Sequence, residues 1–412
     1  MKAEIISIGT EILLGDIVNT NAQFLSKELA VLGIDVYFQA VVGDNAERLL
    51  QVISAAYENS DMIITTGGLG PTFDDLTKET AAKYFGLDME FNEWAYKRIE
   101  KYFRRIGREL TENNKKQAYV PKGSIVMQNS RGTAPGVIIE KDGKIFVMLP
   151  GPPHEMETMF KEQVRPFLEE KQEYTFVSRI MRIADVGESN METRVRDMVE
   201  NMENPTVAPY AKPTESFLRI TAKAKDAEEA NRLIDPVAQE IRNRFGDAVY
   251  AEGETTMEEV VGKLLMEKNL KTSVAESLTG GLVSAALINN AGISSVFMEG
   301  IVAYSNEAKI RLLGVNPETI EKFGAVSEAC AMEMAKGAAE RSGCRIGLST
   351  TGIAGPDGGT DEKPVGTVYV GVYADGKNYA EKLSFSGTRE RIRNRSVYSA
   401  LNILRKEILD IG

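Results

Sequence analysis

The chain is poor in the residues that usually announce a chemistry. Its 412 residues include two cysteines, one histidine and one tryptophan. Two thiols, Cys330 and Cys344, make no disulfide framework and fit a reducing compartment, so a cytoplasmic location is expected. One histidine, His154, excludes a centre built from several imidazoles. None follows it, so no Ser-His-Asp triad can be assembled in the last third of the chain. A basic surplus is also missing. Against 60 Asp and Glu there are 49 Lys and Arg, a formal net charge of −11, which disfavours phosphate-backbone binding, and no direct nucleic-acid contact is expected. The amino end, Met1-Lys2-Ala3-Glu4 running into Ile5-Ile6, has no basic-then-apolar signal pattern. The one long uncharged run, Ser277 to Met298, is long enough to span a bilayer. It contains Gly280-Gly281, Asn289-Asn290, Gly292 and Ser294-Ser295, and reads instead as a buried strand-to-helix segment of a soluble domain. No membrane partner is expected.

The hydrophobic fraction of 43% and charged fraction of 26% are those of an ordinary globular chain long enough for several cores. Apolar runs at Ala3–Ile8, Ile34–Val41 and Met62–Thr66 alternate with amphipathic stretches at Asn21–Leu32 and Ala46–Tyr57. That alternation predicts a parallel sheet covered on both faces. Helices follow at Thr77–Phe85 and Trp94–Ile106, then a strand pair, Val137–Glu140 and Ile145–Leu149, and a closing helix Glu155–Phe167. A charged stretch, Glu169-Glu170-Lys171-Gln172-Glu173, marks the first boundary. Phe176–Ile183, Asn190–Met202, Phe217–Ala224, Glu228–Phe245 and Ala248–Tyr250 then read as a small α+β domain, and Ala251–Glu254 as a second linker. The remainder is a second α/β unit. Its strands fall at Thr272–Ala275, Ile346–Thr350, Thr367–Tyr373 and Asn378–Ser384, with a terminal helix.

Two constellations carry chemistry. The first is Gly67-Gly68-Leu69-Gly70-Pro71-Thr72-Phe73-Asp74-Asp75 at the end of a buried strand. Glycines there let backbone N–H groups face the crevice beyond the strand ends, where open α/β sheets bind ligands. The Gly-Lys-Ser/Thr ending of an NTPase loop is absent. Asp74 and Asp75 beside an anion cradle make sense if a divalent metal bridges them to ligand oxygens; the alternative is that they cap and charge a helix start. Thr10, Glu11 and Asn21 face the same crevice if the sheet order is as expected.

The runs Gly9-Thr10-Glu11-Ile12-Leu13-Leu14-Gly15, Thr65 to Asp75 and Leu149-Pro150-Gly151-Pro152-Pro153-His154-Glu155 resemble the molybdopterin-binding-like domain of the CinA, or competence/damage-inducible, family. That resemblance implies an α/β sandwich over residues 1–169. It also implies hydrolysis of ADP-ribose to AMP and ribose 5-phosphate with a divalent cation (Mg, Mn or Co). Gly67, Gly68 and Gly70 would then line the substrate. His154 is open between a structural, a substrate-contacting and a metal-binding role.

The second constellation begins where Thr272–Ala275 runs into Glu276-Ser277-Leu278-Thr279-Gly280-Gly281 and a helix near Leu282, a strand-to-helix turn of the anion-binding kind. Ser277 in such a place is either a helix cap or a nucleophile. With no imidazole at hand, Lys309 is the candidate activator, because a desolvated lysine can lose its proton near neutrality, and Tyr304 could orient a proton. Arg389 and Arg393 share a helix face, two forks suited to a phosphate or carboxylate. These runs, with Tyr304-Ser305-Asn306 and Ser349-Thr350-Thr351-Gly352, are similar to the CinA C-terminal domain and to stand-alone nicotinamide-nucleotide amidases. The resemblance implies an α/β amidase domain over residues 254–412 that converts nicotinamide mononucleotide to nicotinic acid mononucleotide and ammonia without a cofactor. It places Ser277, Ser294, Tyr304, Lys309 and Thr351 among catalytic positions. Thr279, Gly280, Gly281, Asn306, Gly352, Arg389 and Arg393 become substrate contacts. The attacking serine is open between Ser277 and Ser294. Residues 170–253 resemble the family's KH-type domain but lack a Gly-x-x-Gly clamp; Gly187-Glu188-Ser189 is nearest. A spacer or dimerisation role, and a homodimer, are expected.

Overall fold

In the computed structural model residues 1–212 and 214–411 are described. They form two compact units, one of residues 1–178 with 222–233, the other of residues 179–221 with the chain from 234 onward.

In the first unit, β1 (Lys2–Ile8), α1 (Thr10–Leu14), α2 (Thr20–Val31), β2 (Asp35–Val42), α3 (Ala46–Asn59), β3 (Met62–Thr66) and α4 (Thr77–Phe85) succeed one another. A short pair, β4 (Met89–Phe91) and β5 (Tyr119–Pro121), brackets α5 (Glu93–Arg105) and α6 (Glu112–Lys115). Then come β6 (Ile125–Met127), β7 (Gly136–Lys141), β8 (Lys144–Leu149), α7 (Pro153–Met159) and α8 (Arg165–Glu169). The sheet order is β2-β1-β3-β8-β7-β6. The expected parallel pairing holds through the first four strands; β7 pairs antiparallel with β8, to which a tight turn at Asp142-Gly143 joins it directly, and β6 pairs antiparallel with β7. The central strands are apolar on both sides and feed two cores, one around Ile5, Leu25, Ile64 and Phe160, the other around Ile6, Ile53, Ile63 and Phe146. The expected single helix Glu155–Phe167 is divided by a π-helical turn at Phe160–Val164, which joins α7 to α8.

The middle segment holds β9 (Thr175–Ile183), α9 (Glu188–Asn201), β10 (Thr206–Ala211), β11 (Ser216–Ala224), α10 (Ala227–Phe245) and β12 (Val249–Glu252), with sheet order β10-β11-β9-β12. β10 was not expected: Pro209 and flanking polar residues mask its alternation, and only its antiparallel ladder with β11 reveals it.

The last segment contains α11 (Met257–Glu267), β13 (Thr272–Glu276), α12 (Leu282–Ile288), β14 (Phe297–Val302), α13 (Asn306–Leu313), α14 (Pro317–Phe323), α15 (Glu328–Ser342), β15 (Ile346–Gly352), β16 (Thr367–Ala374), β17 (Lys377–Ser384) and α16 (Arg389–Asp410). Its sheet runs β14-β13-β15-β16-β17, parallel through the first three strands. The uncharged run Ser277–Met298 is a loop, α12, a short turn and the start of β14, not one continuous helix. Among the described residues no helix is long and apolar enough to cross a membrane.

Candidate active sites

The ends of β1, β3 and β8 open onto a cleft of about 380 Å³. Its floor is the Gly67-Gly68 turn. Gly67 has φ +108°, and a Cβ there would meet the Ile8 carbonyl oxygen at 2.1 Å, so only glycine lets this turn pass. The turn is pinned by Gly67 N–H donating to Leu149 O (3.0 Å) and by the Thr77 hydroxyl donating to Gly67 O (3.0 Å). Glu11, Gly67, Gly68, Gly70, Asp74 and Asp75, all expected from the sequence, line the cleft. Thr10 and Asn21 do not. Thr10 donates its amide (2.9 Å) and hydroxyl (2.8 Å) to Asp44. Asn21 is buried and bridges Thr66 Oγ1 (2.8 Å) to Gly151 O (2.7 Å), clamping β3 to the loop after β8. Both therefore support the wall rather than face a ligand. His154 is exposed and off the wall.

Asp44 and Glu155 bring the carboxylates among the described lining residues to five, and the lining itself includes no lysine or arginine, although Lys116 donates to Thr72 O (2.9 Å) and Asp75 O (2.5 Å) beside it. Asp44 follows β2, and its only signal in sequence was its place after a parallel strand. The helix-capping alternative for Asp74 and Asp75 fails, since α4 begins at Thr77 without a side-chain cap. Instead Asp75 accepts the Thr72 amide (2.8 Å), and the Thr72 hydroxyl lies 2.5 Å from both Asp74 Oδ1 and Asp75 Oδ2. That hydroxyl holds Asp74 below the usual carboxylate range. One hydroxyl proton cannot serve two carboxylates, so one contact sets lone pair against lone pair, an arrangement a cation would relieve. No three His, Cys, Asp or Glu side chains converge as a metal cluster among the described residues. Two carboxylates sharing one hydroxyl are oxygen donors of the type a hard divalent cation takes, with water and phosphate left to complete its shell.

In the second unit, Ser277 sits just beyond β13, its N–H donating to Thr350 O at 2.9 Å. Lys309, on the second turn of α13, is 1% exposed. Its Nζ lies 3.0 Å from Ala303 O, 3.1 Å from Tyr304 O and 3.1 Å from Ser277 Oγ. Burial pushes its pKa down; Cys330 and Glu307 oppose that more weakly. The two carbonyls can only accept, so they take two of the amine's protons. The third direction faces a hydroxyl, which can accept from an ammonium or donate to a neutral amine. The nitrogen is thus placed to exchange one proton with Ser277.

The surrounding loop is tied from several sides. Arg393 donates to Leu278 O (2.9 Å) and Thr279 O (2.8 Å). Arg389 donates to Gly355 O (2.6 Å) and to the exposed Tyr304 hydroxyl (3.2 Å). Thr279 and Thr350 hydroxyls meet at 2.6 Å, and Thr351 donates to Ala325 O at 2.7 Å. Arg393 and Thr351 therefore brace backbone, where the sequence suggested a ligand contact and a catalytic role.

Two further expectations are corrected. The amino end of α12 is not an open anion site. The buried Glu276 carboxylate already accepts from the amides of Gly281 (2.9 Å), Val283 (3.0 Å) and Ser284 (2.8 Å), and from the Ser284 hydroxyl (2.7 Å). The Gly280-Gly281 turn, both residues with positive φ, serves that inward fold of the carboxylate. Ser294 is exposed in a turn before β14. Parallel register pairs Thr272 with Phe297 and Glu276 with Val302, so Ser294, before β14, lies at the opposite end of the strands from Ser277, after β13, roughly 15 Å along the strand direction. It is not beside Lys309; Ser277 is. Asn306 is exposed at the first turn of α13, and Gly352 ends β15.

A three-layer cleft domain, a small antiparallel sheet and a serine–lysine α/β domain in this order define a class. Residues 4–170 match the molybdopterin-binding domain model, 178–251 the KH domain of damage-inducible CinA, and 254–408 the CinA C-terminal domain. The chain belongs to the CinA family of competence-damage inducible proteins. It is 58% identical over 409 residues to a competence-damage inducible protein of Clostridium perfringens, covering 99% of both chains, and 55% identical over the full length to that of Clostridium novyi. Among solved structures it is similar to CinA from Thermoplasma acidophilum (38% identical, 40% of this chain and 96% of that one, TM-score 0.38).

Proposed function

We propose that the last domain is an amidase acting on nicotinamide mononucleotide and the first a metal-dependent ADP-ribose pyrophosphatase. The observation that carries the amidase reading is the buried Lys309 amine, 3.1 Å from Ser277 Oγ. Neutral Lys309 takes the Ser277 proton as Oγ attacks the carboxamide carbon. The tetrahedral intermediate then collapses, the C–N bond breaks, and Lys309 returns that proton to the departing ammonia. Water, deprotonated by the same amine, cleaves the acyl-serine ester to give the acid and restore Ser277. The Tyr304 hydroxyl accepts from Arg389, which leaves its own proton for the substrate.

In the first domain Asp74 and Asp75 would hold the cation, which supplies charge neutralisation at the diphosphate. Thr72 fixes the two carboxylates, and the Gly67–Gly70 turn offers approach without side chains. Small nucleotides as partners, a homodimer and a cytoplasmic site of action belong to the same reading.

Ammonia release from nicotinamide mononucleotide tests it. Ser277→Ala or Lys309→Ala should lower the rate by about 10²–10⁴-fold or more. Ser294→Ala should leave it within about twofold, given the distance between the two ends of the strands. Full activity in both of the first two variants would overturn the serine–lysine assignment.

A further inference from the structure

We propose that the second unit carries a separate anion site, in a cavity of about 470 Å³, that takes a phosphate-bearing small molecule. Its walls are Ile183–Glu188 and the turn before β11 on one side, and Leu383–Phe385 with the first turns of α16 on the other. The volume lies in the range of small-molecule sites.

Charge pairing on these walls is uneven. Glu215 is engaged by Arg182 (2.7 Å), Lys212 (2.9 Å) and the Tyr250 hydroxyl (2.6 Å). Asp185 is engaged by Asn402 (2.6 Å) and Lys406 (3.1 Å). Arg391 and Arg395, four residues apart on one face of α16, make no ion pair or side-chain hydrogen bond among the described residues; Arg395 only lies over the Phe385 ring at 5.6 Å. Glu188 is the single wall carboxylate likewise unengaged, so the unmatched groups leave a positive excess in a chain of net charge −11.

The placement is also unfavourable for the helix itself. Arg389, Arg391, Arg393 and Arg395 stand in the first two turns of α16, where the helix dipole disfavours cations. Arg389 and Arg393 are compensated by the carbonyls of Gly355, Leu278 and Thr279. Arg391 and Arg395 have no such acceptor. Two arginines without partners lining one cavity can supply the bidentate donors that phosphate oxygens accept best. Gly187, the uncapped amino end of the fourteen-residue α9, closes the same wall.

The test is calorimetric titration of the full chain with AMP, and separately with inorganic pyrophosphate, in the presence of chelator. Wild type is compared with Arg391→Gln/Arg395→Gln; the cleft and the Ser277 site are the same in both and cancel. The expected result is the loss of one site per chain, or about tenfold or greater weakening of that class. Loss for AMP alone assigns a nucleotide, and loss for both assigns the bare phosphate group as sufficient. Deuterium uptake of wild type provides a reading independent of variant folding: AMP should slow exchange at residues 185–189 and 383–399. Unchanged stoichiometry and affinity in the double variant, or no protection in those segments, would overturn the proposal.

Discussion

Replacing Glu276 by glutamine probes the most concentrated set of hydrogen bonds in the last domain. The carboxylate is fully buried and accepts four bonds, two at each oxygen. An amide keeps one acceptor oxygen. In its cheaper orientation the oxygen faces Gly281 and Val283, the NH2 faces Ser284, and the Ser284 hydroxyl turns to accept. One backbone N–H, that of Ser284, is then left without a partner, at a cost of about 1–3 kcal/mol. Loss of the negative charge at the amino end of α12 adds about 0.3–2 kcal/mol. The sum, about 1.3–5 kcal/mol, corresponds to roughly tenfold or more in local opening at 1.36 kcal/mol per decade. Deuterium exchange of residues 277–288 is the assay, with urea unfolding alongside. Exchange within about twofold of wild type and an unmoved midpoint would refute the claim that this carboxylate organises the Ser277 loop.

Asp74→Ala or Asp75→Ala should abolish cation-dependent cleavage of ADP-ribose and leave ammonia release untouched, which product analysis with and without chelator reads directly. The amidase rate should rise with pH to a plateau whose midpoint lies below the 10.5 of an unperturbed lysine, because burial lowers the Lys309 value. Lys78, buried against the carbonyls of Gln117 and Tyr119, has its pKa pushed down to about 8. Between that value and 10.5 the unfolded chain binds the extra proton, so stability should rise with pH across this window. Lys78→Met should flatten that rise in urea midpoints measured from pH 8 to 10.

Strong periodicity was readable and weak periodicity was not. Met62–Thr66 and Thr77–Phe85 carry unmixed patterns, and their bounds coincide with those of β3 and α4. β10, β14 and the β4–β5 pair are short or polar and exist through cross-strand pairing, which local sequence does not encode. For the sites, residue type and position in a strand-end loop drew attention to Ser277, Asp74 and Asp75, and the absence of a second histidine drew it to Lys309. Arg393 and Asn21 were read as ligand contacts, and in the structure they donate to backbone carbonyls, while Glu276 was not singled out, because a polar side chain near a site can face the ligand or the backbone. Only the surrounding carbonyls and amides decide which.

The residues by themselves thus gave the three-part organisation, the absence of any histidine from the last domain and the family to which the chain belongs. Tertiary structure alone decided that Ser277 rather than Ser294 meets Lys309, since parallel register puts those serines at opposite ends of the paired strands. It also decided that the α12 amides are filled from within by Glu276, and that Asp44 joins the acidic cleft. Spacing along the chain limits what can be adjacent; register and packing select what is.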